Sequence, residues 1–380
     1  MDLCLRINKL LAATLACSVV LTVVLSCKGK NDSSTTYERE YHVDWQHGFQ
    51  EGLGEVEVNG KWGFINSAGE IVIEPKFNQV FGFHEGIATA RSGAIWDKRK
   101  AAFLGLAGRW IHINKKGDPA YKKSNFHVSP DGFSEGLAAV WLAERKSTGF
   151  WTYIVEEKWG FINMKGEIVI PVKYHDVRFP FSEGLAAFED PNLKDGYINH
   201  AGEVVIEPCY VLALEFSEGR AAVKKKEGWG FINKHGDVVI PLQYDSARSF
   251  SEDLAAIKKN EKWGAINKQG EVMISFEYDY IRSFSEGLAA VKKNDKWGYI
   301  EKNGQVVIPF KFDDAETFSD GLAPVEVGGK WGYINKKGDF VIEPKFYLAS
   351  PFTEGFAKVA VGDKLGYIDK QGKYIWEPTR

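Results

Sequence analysis

The sequence is poor in cysteine and methionine, with four and three among 380 residues, and it has no excess of one charge. Cys4, Cys17 and Cys27 lie at the N-terminus, which leaves Cys209 alone in the rest of the chain. A lone thiol cannot build an intrachain disulfide framework or a cysteine zinc site, so the fold must rest on packing. Lys and Arg number 48 against 51 Asp and Glu, a formal net charge of −3. Without residues 1–26, which carry two cations and one anion, it is −4. That balance leaves no electrostatic footprint for nucleic acid, so none is expected as a partner. There is no H-E-x-x-H and no phosphate loop. None of the eight His residues forms a convincing metal-spaced pair; His42 and His47, five apart, sit in a polar segment. No metal and no cofactor is expected.

What the chain does have is a period. Phe49, Phe83, Phe133, Phe181, Phe216, Phe250, Phe284, Phe318 and Phe352 each open a unit, and the matching second motif stands at Trp62, Trp110, Trp159, Asp195, Trp229, Trp263, Trp297, Trp331 and Leu365. The Trp-Gly pairs from Trp229 to Trp331 recur every 34 residues. A fixed period of this size means a repeat architecture, in which neighbours bury each other's apolar faces and no unit folds alone. From Phe to the second motif is 13 residues in most units, but 27 in the second and 26 in the third. Two adjacent units therefore carry insertions at one place, near residues 92–108 and 142–157.

The order F-S-E-G-L-A, then K-W-G-F-I-N, then G-E-V-V-I-P resembles the WG-containing bacterial repeat, the KWG Leptospira-type repeat, over roughly residues 45–378. That resemblance implies a repeat fold and no common biochemical activity. The residues themselves read as short strands. Leu254 to Lys258, Trp263 to Asn267 and Glu271 to Ile274 are rich in β-formers and separated by turns, one closed by Gly270. Alternation puts Trp297 and Tyr299 on one face and Ile300 on the other, so each sheet is apolar on both sides and must be covered on both. Gly after Trp marks a close backbone approach, expected to come from the neighbouring unit at Gly264. Asp253 replaces the usual Gly of the opening turn and is a residue that tolerates a left-handed backbone. The expected fold is all-β: nine antiparallel units of about 34 residues in a propeller-like ring or spiral, with an open β-solenoid as the alternative.

Residues 1–26 read as a lipoprotein signal. Arg6 and Lys9 give a positive start, Leu10 to Leu25 is nearly all apolar, and Val24-Leu25-Ser26-Cys27 resembles a lipobox, which implies acylation at Cys27. Residues 27–44 then form a flexible tether and 45–380 the repeat domain. The expected location is the cell envelope, at the outer membrane or cell surface rather than the inner membrane, with the lipid as the sole membrane contact; an unused lipobox would leave the chain secreted. Cys209 falls at a position that is otherwise polar and reads as an exposed substitution.

The insertions are the informative departures. One carries Trp96, Arg99 and Phe103; the other carries Phe150, Trp151 and Tyr153, and both extend the same hairpin. Aromatics with Arg make binding hot spots. The expected function is a non-enzymatic, envelope-anchored scaffold for a protein partner. A carbohydrate or peptidoglycan binder is the alternative, and an enzyme with its site in the two insertions the third reading. The repeated acids, such as Glu252 and Glu286, are a whole unit apart and read as turn residues rather than an acid–base pair.

Overall fold

The computed structural model describes residues 20–22, 40–42, 48–92, 109–122, 125–147 and 152–379. The chain divides into two units, Met1–Gln46 and His47–Arg380. In the first, the described residues form two short strands, Val20–Thr22 and Glu40–His42, paired antiparallel. Among the described residues no helix is long and apolar enough to cross a membrane. Cys27, Trp96, Arg99, Phe103, Phe150 and Trp151 lie outside the described residues.

The second unit is a nine-bladed β-propeller. Its described residues form nine antiparallel sheets, each with its strands in chain order. Blade seven is representative: Tyr280–Ile281, Leu288–Lys293, Lys296–Glu301 and Val306–Phe312. Blade one begins at Leu53 and blade nine ends at Thr379; blades one and two have three described strands and the others four. The hairpins between second and third strands lie on one face of the ring. The opening turns and the third-to-fourth-strand turns lie on the other.

The expected two-sided burial holds. In blade seven, Ala289, Val291 and Ile300 pack with Trp263 and Tyr278 of blade six, while Trp297, Tyr299 and Ile308 pack with Phe318 and Val325 of blade eight. Trp229, Trp263, Trp297 and Trp331 are between 7% and 9% exposed, in equivalent places. The Phe that opens a unit receives a ring from the third strand of the blade before, as with Phe64 on Phe83 at 4.9 Å, Tyr299 on Phe318 at 4.9 Å and Tyr333 on Phe352 at 4.7 Å; before Phe284 the ring position holds Ala265 instead. Edge-to-face pairs of this kind add to burial. Tyr367 of blade nine meets Phe49 of blade one in the same way, at 5.1 Å, so the ring closes and the open solenoid is excluded.

The Gly after Trp is required, but by a different neighbour from the expected one. A Cβ on Gly298 would lie 2.6 Å from the carbonyl oxygen of Ile308, in the fourth strand of its own blade. There the ladder slips, pairing Trp297 with Phe312 but Tyr299 with Ile308, so the fourth strand bulges over the glycine. Blade two shows the converse. Ile111 stands at the glycine position, and pairing with the following segment stops after the Ile113 to Pro119 bridge and the bond from Ala120 N–H to the His112 carbonyl. An isoleucine side chain occupies the space that the fourth strand's backbone needs.

Gly298→Ala is expected to cost about 2–3 kcal/mol in urea unfolding, because backbone and not a flexible side chain must yield. A loss under about 0.5 kcal/mol would show that the fourth strand can retreat at no cost.

Candidate functional site

Nine opening turns surround the axis; those of blades eight, nine, one, two and three share one open cavity of about 520 Å³. In each turn the acid residue has a left-handed backbone, φ between 51° and 54°, and the residue after it is also left-handed. Two such residues in succession give the twist a tight hairpin needs. The acid side chain reaches forward to the next blade. Glu286 accepts the N–H of Gly321 at 3.1 Å and faces Lys336 Nζ at 3.1 Å. Glu218 accepts from Asp253 at 2.9 Å, so Asp253 keeps the clasp despite lacking glycine. Glu354 accepts from Glu51 and Gly52, both at 2.8 Å, and carries the clasp across the closing seam. Burial raises the pKa of Glu51, but the Lys115 ammonium and the Gly86 N–H outweigh it and hold this carboxyl below its ordinary value. Met164 and Ser67 stand where a cation would face Glu85 and Glu354. This row of acids is structural: the carboxylates are committed to the neighbouring blade.

The departures from the repeat gather in blades two to four. Between blades two and three, Thr89 replaces the usual Ala and His112 the usual Phe or Tyr, and both are buried. His112 Nδ1 lies 2.7 Å from the Tyr121 hydroxyl, while His112 Nε2 and Thr89 Oγ1 have no hydrogen-bond partner among the described residues. Burial pushes the His112 pKa from 6.5 down to about 3. Tyr121 belongs to the segment that fails to form a fourth strand. Its ring sits where a Cβ on Gly166 would be, 2.5 Å away, taking the place that Ile308 takes against Gly338. Beside it opens a cavity of about 850 Å³, lined by Tyr121, Phe126, Met164 and Ile168 with Lys122, Asn125 and Lys165.

Blade three carries the long hairpin, Leu137–Ser147 paired with Thr152–Asn163, with a register slip between Glu144 and Arg145. Tyr153 lies in this hairpin, opposite Lys146. At its base His127 stacks on Trp141, centroids 4.1 Å apart and 15° between planes, and Trp159 lies 6.3 Å further on. All three are half-buried. Trp141 stands where blades five to seven have Lys224, Lys258 and Lys292, a departure visible in the sequence but overshadowed there by the insertion.

In blade four Asp195 takes the Trp position and is fully buried. Its oxygens accept from Arg178 Nε at 3.2 Å and Ala213 N–H at 2.9 Å. Arg178 also pairs with Glu189 and Asp176, and His175 Nδ1 lies 2.9 Å from Glu189. In blade seven the equivalent guanidinium, Arg282, lies over the Trp297 ring at 5.0 Å. Blade four has exchanged that aromatic partner for a carboxylate. Burial raises the Asp195 pKa even with Arg178 beside it, and burial with Asp176 raises that of Glu157. Among the described residues no group of three His, Cys, Asp or Glu is placed to hold a metal ion. Cys209 is exposed.

The profile of the WG containing repeat matches residues 62–94, 159–190, 196–228, 229–263, 263–297, 297–331 and 331–364, more than half of the chain. The chain belongs to this family. The two units the profile passes over begin at Trp110, with Ile111 for Gly, and at Leu365, with Leu for Trp. No protein of curated function matches the sequence. Among solved structures, the computationally designed Ika8 protein is similar at 8% identity, covering 84% of this chain and 97% of its own, with a TM-score of 0.44. BamB from Moraxella catarrhalis is similar at 10% identity over 85% and 93% of the two chains, with a TM-score of 0.40. The WD40 β-propeller domain of Doa1 is similar at 13% identity over 66% and 90%, with a TM-score of 0.30. At these identities the likeness concerns chain architecture alone.

His112 gives blade two a pH dependence of known sign. The unfolded chain takes up a proton near 6.5 and the folded one only near 3, so stability is full above the upper value and falls as pH drops through the window. Between about pH 7 and pH 4.5 the loss on this account is about 2.5 kcal/mol. Urea unfolding of His112→Phe, which restores the ring found at Phe64 and Phe231, should show a smaller loss than the unsubstituted protein by that amount. Equal losses would mean that His112 protonates freely in the folded state.

Proposed function

We propose that the protein is a lipid-anchored, non-enzymatic scaffold of the cell envelope that holds a protein partner on the hairpin face of blades two to four. One observation carries this reading: the two insertions and the largest groups of aromatic and charged departures from the repeat fall in adjacent blades, two to four. The sector contains both insertions, the stacked His127 and Trp141, and the Asp195 ion cluster. A residue found in every blade builds the blade; one found in a single sector is free to serve a ligand. The charged cluster at Asp195 supports a binding role over catalysis, since Arg178 ties its carboxylates into ion pairs. Trp96, Arg99, Phe103, Phe150, Trp151 and Tyr153 remain the candidate contact residues, because aromatic and Arg side chains supply most interface energy.

Deleting residues 92–105 or 143–156 should abolish capture of the partner from native envelopes by cross-linking. Shortening the Asn294-Asp295 hairpin on the far side should leave it intact. Repeat stability is mainly local and nearest-neighbour, so melting should shift little. A sharp fall in melting temperature would make the hairpins structural, and retention of capture would move the contact surface elsewhere. Binding to purified glycan in place of protein would favour the carbohydrate reading.

The anchor has its own test. Replacing Cys27 by Ala should leave an unprocessed precursor without fatty-acid label and without detergent partitioning. Unchanged labelling would remove the lipoprotein assignment while leaving the scaffold reading untouched.

A further inference from the structure

Blades with nearly identical flanks pose a problem of identity. The same opening Phe and the same carboxylate clasp recur at the seams, so blade two offers blade nine the same Phe and the same clasp partner as blade one does. Chain connectivity does not settle the choice. Among the described residues every strand of blade one lies within Leu53–Phe77 and every strand of blade nine within Leu348–Thr379, with none exchanged between them.

One buried charge pair marks the closing seam. The third residue of the second strand is Ala in five blades, among them Ala222, Ala256 and Ala290. In the first blade it is Glu55 and in the last Lys358, the charged residues of the set. Their side chains meet across the closing seam, Nζ to Oε2 at 3.0 Å, and they are 7% and 4% exposed. Burial disfavours the ammonium, but Glu55 and Tyr367 more than reverse this and raise its pKa. Neighbouring seams have no counterpart to this pair. Its members come from opposite ends of the repeat domain and occupy the same position of the repeat.

We propose that Lys358 and Glu55 form a recognition pair that selects blade one as the partner of blade nine and so fixes the ring at nine blades. Were blade nine to dock on blade two, Lys358 would be buried without a carboxylate, and an unpaired buried charge is strongly unfavourable. Replacing both charges by apolar groups is often neutral for stability. The pair therefore acts on the choice of seam more than on the stability of the finished ring, the role best attested for buried polar pairs that set register.

The test uses the full chain, unfolded in urea, refolded and digested with a protease that cuts opened strands. The protease-resistant fragments are then weighed by mass spectrometry. The unsubstituted protein should yield one core that includes blade one. Glu55→Ala alone, which strands Lys358, should raise the fraction cleaved between blades one and two about tenfold or more. Reversing the pair, Glu55→Lys with Lys358→Glu, should restore the intact core. Glu55→Ala with Lys358→Ala should melt close to the unsubstituted protein yet refold with a clearly larger share of cores lacking blade one. The proposal is overturned if the double-alanine protein refolds to the intact core as fully as the unsubstituted one, or if the reversed pair fails to rescue. In either case the two residues only fill space. None of these outcomes depends on the binding function.

Discussion

Each sheet in this ring is apolar on both faces, and the rest of the structure depends on that. A small antiparallel sheet can leave one polar face in water but not two apolar ones, so every blade needs a neighbour on each side. An open stack would leave two bare flanks needing polar caps; a closed ring leaves none. The flanks make this concrete. Ala289 and Val291 point back to blade six and Ala290 forward to blade eight, so the second strand has no side that tolerates water. Small side chains there let neighbouring blades approach closely, and the large rings of the third strand fill what remains.

Closure also explains a backbone conformation that would otherwise be a cost. A non-glycine residue with a left-handed backbone is disfavoured, by about 1–3 kcal/mol when surrounding structure enforces it. The chain accepts this with Glu or Asp in each of the opening turns. A charged acceptor bound to a backbone N–H makes a stronger hydrogen bond than a neutral one, and here each such bond joins two blades. Glycine in that place would relax the turn and lose the link between blades. Glu218 shows which requirement dominates: with Asp253 following it in place of glycine, the turn takes more strain and the clasp is retained.

Local pattern was legible in the sequence, and relations between units were not. The 34-residue period, the strands, the buried Trp and the opposite faces of Tyr299 and Ile300 all follow from composition and alternation. Ring closure does not, because a spiral and a ring place the same residues at the same local positions. The role of the acids was hidden for the same reason, since the donor that Glu252 binds is Gly287, 35 residues away. The glycine after Trp was read correctly as a close approach but assigned to the wrong neighbour. A bulge in the fourth strand of the same blade is a register effect that a single-strand pattern does not carry. Blade two was readable in principle: R-W-I-H-I-N differs from the repeat at the glycine and at the ring position, and both changes have structural consequences.

Those consequences show why the ring can host a specialised sector. Among the described residues blade two has no fourth strand, yet its seams survive: Phe64 still meets Phe83, and His112 still meets Phe133 at 4.9 Å. Seam contacts are made by the second, third and fourth strands and by the opening Phe, and in blade two the Tyr121 ring takes the place of a fourth-strand side chain against Gly166. The hairpin tips are absent from these clusters and can be lengthened or recharged while the neighbours hold the blade in place. The broken strand of blade two, the long hairpin of blade three and the Asp195 cluster of blade four each use that freedom in a different way, and each leaves the inner scaffold unchanged. A ring held at its seams is thus permissive at its hairpin tips, which is where a ligand-specific surface can be built.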